Sequence, residues 1–512
     1  MNFCRLVLDS AARAPERSAL DWPQRRISYG ELAEEIGRHA ALLAHCGVRA
    51  GDRVGLQVPK SPETVFLHLG CLALGAVALP LNDAYRPAEV AYCLADSGAR
   101  LFVTNSELHR RCRQELGAGG PRVMTVDQKE DGALHYPSEL DSLEAPSAEP
   151  FPSRPEDAAL ICYTSGTTGR PKGAVLTHRN LVENLEDLAH IWRMSDQDVV
   201  LNVLPLFHVH GLMVCLYLSL MVGARVVLHP RFDPQATWRA IEKDGITVFM
   251  AVPTIYQRLL DAWRELEPRP RSEGMRVFIS GSAPLSEVLF EEFRQALGQP
   301  ILERYGMTET IMIASNPYPP EKRKAGSVGY PLPRVRVSVR DQEGKEVPPG
   351  QVGEVCVQGG NVFREYWGQP DKTRQSYFGD WFRTGDLGYQ DPEDGLRLYL
   401  VGRAKELVIS GGYNVYPKEV ELRLEHHPGV KEAAVVGLAD RDLGERVTAA
   451  VVPAPGQTPA EEELIAFCRQ ALAPYKCPKR VHLVSELPRN SMGKVMKQEV
   501  ARLCQQREAD LA

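Results

Sequence analysis

Apolar and polar residues follow two rhythms along this chain. From Ser28 onward, Leu32, Ile36, Ala40 and Leu43 fall on one helical face. Ser28 and Glu31 precede them at the spacing of a capping box, which predicts a helix starting there. Short, mainly apolar runs at 199–204, 226–228, 247–252 and 277–280 read as buried strands, with helical stretches between several of them. This alternation predicts mostly parallel sheets covered by helices. The longest apolar run, 211–224, has the length of a buried core helix and is too short to span a bilayer.

The rhythm changes near residue 403. A helix is expected at 418–426, strands at 433–437 and 448–452, a helix opened by Thr458 and Glu461, and a strand at 481–484. That is enough for a separate, small α+β domain. The stretch 144–157 carries Pro146, Pro150, Pro152 and Pro155 and reads as an exposed connection. At the N-terminus several arginines suggest a transit peptide. Asp9 and Glu16 oppose that reading, since such peptides are acid-poor, and favour an amphipathic surface helix.

A chain of 512 residues, 44% hydrophobic and 25% charged, is a globular protein of more than one domain. The net charge of −6 favours neither nucleic acid nor an anionic membrane as partner. The eleven cysteines are scattered without metal-like spacing, as expected of reduced thiols in a cytoplasmic protein.

The chemistry concentrates in five segments. Residues 163–173 read YTSGTTGRPKG. Glycines let a backbone wrap an anion, hydroxyls and amides donate to its oxygens, and Lys172 adds a point charge. The spacing is not that of a P-loop: Gly166 and Gly169 are too close, and glycine follows Lys172. By itself the segment also reads as a flexible loop. The others are RYGMTE at 304–309, DWFRTGD at 380–386, GRAKELVISGGYNVYPKEVE at 402–421 and PRNSMGKV at 488–495. Singly, Tyr305 is also readable as a core aromatic, Asp386 as a turn residue and Lys494 as a solvated lysine.

In this order the five segments resemble the adenylate-forming superfamily of acyl-CoA synthetases, luciferases and adenylation domains. The resemblance covers essentially the whole chain and is strongest to malonyl-CoA synthetases, through VPTIYQR at 252, ISGSAPL at 279, ERYGMTET at 303, SNPY at 315, GGYNVYPKE at 411 and PRNSMGKVMK at 488. It implies an α/β fold. An N-terminal domain, 1–402, would hold two stacked, helix-covered sheets plus a β-barrel. A hinge would lie at 403–405, with Lys405 at the hinge position, and a lid domain at 406–512.

The resemblance also implies the reaction. An acid attacks the α-phosphorus of ATP to form an acyl-adenylate, and CoA then displaces AMP. Catalysis of the first step is mostly positioning and charge neutralisation. Thr164, Ser165, Gly166, Thr167, Thr168, Gly169 and Lys172 would hold the β- and γ-phosphates. Thr308 would contact the α-phosphate, and Glu309 would bind Mg²⁺. Tyr305 would pack on adenine beside Gly281, Ser282 and Ala283. Asp386 and Arg403 would meet the ribose. Lys494 would bridge the substrate carboxylate and the α-phosphate. Gly411, Gly412 and Tyr413 would line the pantetheine channel after the lid rotates.

The acid is read from arginines. Arg304 and Arg258 match positions that hold a second carboxylate, with Ser282, His208, His210 and Met307 on the acyl side. A fork of N–H donors suits a carboxylate, whereas a buried guanidinium in a fatty-acid tunnel is costly. The plainer alternative pairs Arg304 with Glu303 and Arg258 with Asp261 as surface ion pairs. Ile313 and Ala314 replace more polar residues of the relatives, which leaves methylmalonate beside malonate. Other readings are a medium- or long-chain fatty acyl-CoA ligase, a luciferase, an amino-acid-activating domain and an inactive binding protein. LFHVHG lacks the aspartate that amino-acid activation would need. Lys172, Glu309, Asp386, Arg403 and Lys494 together argue against an inactive protein.

Overall fold

The computed structural model describes all residues except 118, 142, 144–148, 165–169, 491, 492 and 512, with no side chains for 509–511. Two large sheets, one antiparallel sheet and a small terminal sheet organise it.

The first sheet has nine strands. Its centre is parallel, running Leu302–Tyr305, Val277–Ser280, Val248–Ala251, Val199–Asn202, Arg225–Leu228 and Ser18–Trp22. The predicted apolar runs sit here, one to two residues shorter at some ends, because helices cover the sheet and leave these strands no polar face. The second sheet has eight strands and is also mainly parallel. It ends in the antiparallel trio Ala158–Thr164, Lys172–Thr177 and Glu365–Tyr366.

Helices sandwiched between the sheets form the main core. Ser28 and Glu31 make the expected capping box on the helix Tyr29–His45. The run 211–224 becomes a π-helical stretch, His210–Tyr217, continued by the helix Leu218–Val222. It is buried on all sides, as a uniformly apolar helix requires. Gly211 is essential to its seat: a Cβ there would meet the Pro205 carbonyl oxygen at 2.2 Å. The N-terminal helix Phe3–Arg13 is amphipathic, burying Phe3, Cys4, Val7 and Ala11. In the proline-rich connection, residues 144–148 lie outside the described residues. The Phe151 amide donates to the Ala73 carbonyl at 2.7 Å.

The place expected of a β-barrel holds a five-stranded antiparallel sheet, including Val335–Arg340, Gly353–Gly359, Trp381–Asp391 and Arg397–Arg403. A short turn, Ala404–Glu406, leads from it to the last sheet. There Val430–Asp440 and Gly444–Pro453 run longer than the predicted strands because they pair continuously as one long hairpin. The helix expected from Thr458 starts at Glu461. Pro459 intervenes, and the Ala460 amide donates to Glu463 instead. All eleven cysteines are buried and free. Among the described residues no helix is long and apolar enough to cross a membrane.

Candidate active site

The site lies where loops leave the C-terminal ends of parallel strands, the usual place for ligands in open α/β sheets. The antiparallel pair Ala158–Thr164 and Lys172–Thr177 places Thr164 opposite Lys172. Ser165, Gly166, Thr167, Thr168 and Gly169, which join them, lie outside the described residues. Lys172 is half-buried, with Nζ 3.9 Å from the centre of the Tyr366 ring. Burial lowers its pKa, with Glu309 opposing that shift.

Glu309 is 5% exposed. Its Oε1 accepts the Tyr366 hydroxyl at 2.8 Å, and its carbonyl accepts the Phe363 amide at 2.7 Å. Burial raises the pKa of this carboxyl, while the Tyr366 bond and the charges of Lys172 and Arg403 hold it down. The loop after it is strained. Ile311, β-branched and fully buried, sits at φ +55°, in the left-handed region that such residues avoid. Asn361 holds the turn by donating from Nδ2 to the carbonyls of Thr310 and Met312, each at 3.0 Å. Asn184 adds a second bond to the Met312 carbonyl at 2.9 Å. Thr308 and Met307 are half-buried at the start of this loop.

Tyr305 is buried and donates to Asp386 Oδ2 at 2.6 Å. Asp386 and Arg403 are register partners on adjacent antiparallel strands, and Arg403 Nε meets Asp386 Oδ1 at 3.0 Å. Asp386 accordingly raises the pKa of Arg403. Lys494 follows the turn in which the Gly493 amide donates to the Asn490 carbonyl at 2.9 Å. Burial lowers its pKa, as does Arg403, while Asp386 and Glu406 oppose the shift. The turn rests on the larger domain: a Cβ on Gly493 would meet Thr254 Oγ1 at 2.7 Å. The terminal domain therefore places Lys494 near Asp386 and Arg403.

A second group lies on the acyl side. Arg304 is 3% exposed, and its Nε and Nη2 are buried without a hydrogen-bond partner among the described residues. Its guanidinium lies against Gly281, where a Cβ would come within 2.4 Å of Cζ. His210 Nδ1 and Ser282 Oγ share a hydrogen bond of 3.2 Å, and His210 Nε2 is buried without a partner among the described residues. Burial, then Arg304, pushes His208 down to about 4 and His210 well below its ordinary range. The positive charge here belongs to Arg304. Ser282 sits at φ +70° and, with Ala283, is half-buried.

Neither surface ion pair considered from the sequence forms. Glu303 is buried, and its Oε1 accepts the Leu285 amide at 3.0 Å. Asp261 accepts from Gln257 at 2.9 Å and lies 4.0 Å from Arg264. Arg258 is exposed and lines a cleft of about 940 Å³ between the larger domain and the lid. The cleft walls include Phe207, Thr254, Arg489 and Asn490 but neither Arg304 nor the two histidines. Lys405, in the connecting turn, is exposed. Gly411, Gly412 and Tyr413 are exposed on the lid, with Tyr413 stacked on Tyr475 at 4.8 Å. The structure does not bring these three to the other candidates.

Sequence reasoning missed Tyr366, Asn361 and Lys60. Lys60 Nζ donates to the carbonyls of Asn202 and Leu204 at 2.8 and 2.7 Å, anchoring the segment that leads to His208. Nothing local marks these residues. Their roles come from contacts 49 to 144 positions away.

Two family models match, an AMP-binding enzyme over residues 7–367 and an AMP-binding enzyme C-terminal domain over 419–494. The chain belongs to the AMP-binding enzyme family. Among curated relatives, it is 36% identical to an oxalate–CoA ligase of Arabidopsis thaliana, with 97% of each chain covered. It is 39% identical to a mitochondrial malonate–CoA ligase of Mus musculus, covering 92% of this chain and 84% of that one. It is 37% identical to a feruloyl-CoA synthase of an Amycolatopsis species, covering 96% and 97%. These relatives share ligation to CoA and differ in the acid. Among solved structures, ATP-bound MatB from Rhodopseudomonas palustris superimposes with a TM-score of 0.92 at 38% identity, covering 98% of each chain. The apo form of the same enzyme scores 0.83 over the same shares. The chain thus superimposes more closely on the ATP-bound structure than on the apo one.

Proposed function

We propose that this acid–CoA ligase activates a short acid bearing a second anionic group, malonate or methylmalonate, as an acyl-adenylate before transfer to CoA. The observation that carries the reading is Arg304, a buried guanidinium whose Nε and Nη2 have no hydrogen-bond partner among the described residues. A buried, unmatched charge is costly, and a bidentate anion removes that cost. With His208 and His210 held neutral, the pocket offers one positive charge for one distal anion. A medium- or long-chain acid would leave the guanidinium without a partner. Arg258, in the cleft, is assigned to the distal carboxylate by resemblance alone.

For the nucleotide, Thr164, Lys172 and the loop 165–169 would hold the β- and γ-phosphates. Thr308 would meet the α-phosphate. Tyr305, Gly281 and Ala283 would frame adenine, and Asp386 with Arg403 the ribose. Glu309 fits Mg²⁺ because it is a hard oxygen donor beside the phosphate lysine. Bound there, Mg²⁺ would neutralise phosphate charge. Lys494 would bridge the acid and the α-phosphate with the lid closed. Rotation about 403–405, taken as the boundary between 1–402 and 406–512, would bring Gly411–Gly412 and Tyr413 to the pantetheine.

The test is AMP formation by the purified protein with ATP, Mg²⁺ and CoA on malonate, methylmalonate, acetate and octanoate. Preference for the two diacids is expected. Preference for octanoate would overturn the reading.

A further inference from the structure

Lys172 and Glu309 attract each other in a largely buried site, yet they form no ion pair among the described residues. Tyr366 stands between them. Its ring faces the Lys172 ammonium at 3.9 Å, and its hydroxyl donates to Glu309 Oε1 at 2.8 Å. The strand Glu365–Tyr366 is the edge of the second sheet, with Tyr366 opposite Ala174, two residues beyond Lys172 on the same face. The ring is 4% exposed and packs edge-on against Phe363 at 4.7 Å. The Tyr366 amide donates to Thr373 Oγ1 at 3.0 Å, which holds the backbone.

We propose that Tyr366 is a positioning residue that keeps the phosphate-side ammonium and the metal-side carboxylate apart and separately oriented. It rests on the reading of Lys172 and Glu309 given above. A tyrosine does two things here that no aliphatic residue does. Its π-face stabilises the cation without neutralising it. Its hydroxyl satisfies one carboxylate oxygen without supplying a positive charge. Without it, ammonium and carboxylate would close into a direct pair, which ATP and Mg²⁺ would then have to break.

The experiment is calorimetric titration of ATP into the purified protein, without acid or CoA, across Mg²⁺ concentrations. Tyr366→Phe keeps the ring and removes the hydroxyl. Its metal-free ATP affinity should stay within about twofold, while the Mg²⁺ needed for half-maximal enhancement rises about tenfold. Tyr366→Leu removes both groups, and its metal-free ATP affinity should also fall, about fivefold. In a Glu309→Gln background the leucine should no longer lower metal-free affinity, because the pair that it allows cannot form. A phenylalanine variant with wild-type Mg²⁺ dependence would overturn the proposal, as would a leucine effect that persists undiminished in the Glu309→Gln background. Absence of ATP binding by the wild type would instead overturn the nucleotide-site reading.

Discussion

Asp386 and Arg403 face each other across one antiparallel register and meet at 3.0 Å, at the end of the strand that leads into the lid. The other Asp386 oxygen takes the Tyr305 hydroxyl at 2.6 Å. Asp386→Ala strands two partners at once, the buried Tyr305 hydroxyl and the partly exposed Arg403. It should lower kcat/KM for ATP by about 100-fold, chiefly through KM, with kinetics at varied ATP as the check. Loss confined to the KM of the acid would remove Asp386 from the nucleotide side.

Lys494→Ala should lower adenylation by about 100- to 1000-fold. Thioester formation from supplied acyl-adenylate should stay near wild type, because the proposed lid rotation then presents another face. Separate assays of the two half-reactions decide this, and equal loss in both would contradict two lid positions.

Arg304→Ala should reduce kcat/KM on malonate by at least about 100-fold and leave acetate within a fewfold. Competition between the two acids measures the ratio directly. Equal loss on both acids would make Arg304 structural.

Burial holds His208 near 4 and His210 well below its ordinary range, so both stay neutral above pH 5. The malonate-to-acetate preference should therefore be flat from about pH 5.5 to 8. A midpoint near 6.5 in that ratio would show that one imidazole protonates with substrate bound.

Glu303 carries a stability prediction. Burial raises its pKa to about 7, against the Leu285 hydrogen bond and the charge of Lys418 from the lid. Unfolded, the carboxyl ionises near its ordinary value of 4.5, so between 4.5 and about 7 the native state holds the extra proton. Stability from this group is greatest below that window, falls as pH rises through it and is level above. Glu303→Gln should raise Tm at pH 8 by a few degrees relative to wild type and change it little at pH 4, measured by calorimetry.

Much of the scaffold was legible because its signals are local. Ser28 and Glu31 are three residues apart, and the capping box needs nothing else. The strand Val277–Ser280 is apolar on both faces, so composition alone marks it. Signals failed where pairing at a distance set the element. Val430–Asp440 outgrew its predicted length because Gly444–Pro453 pairs along all of it. Ile311 reads as an ordinary apolar residue, and only the buried asparagines that clamp its turn reveal its strained backbone.

By itself the sequence determined the alternation of helices and strands, the separate small terminal domain and the motif order that resembles adenylate-forming enzymes. These depend on residue type and short spacing. Only the tertiary structure decided that Arg304 is buried, its Nε and Nη2 without a partner among the described residues, while Arg258 is exposed, since both are arginines flanked by a nearby carboxylate in the chain. It also decided that Tyr366 stands between Lys172 and Glu309. Burial and the choice of charge partner are set by which strands lie side by side, and packing from the whole chain supplies that information.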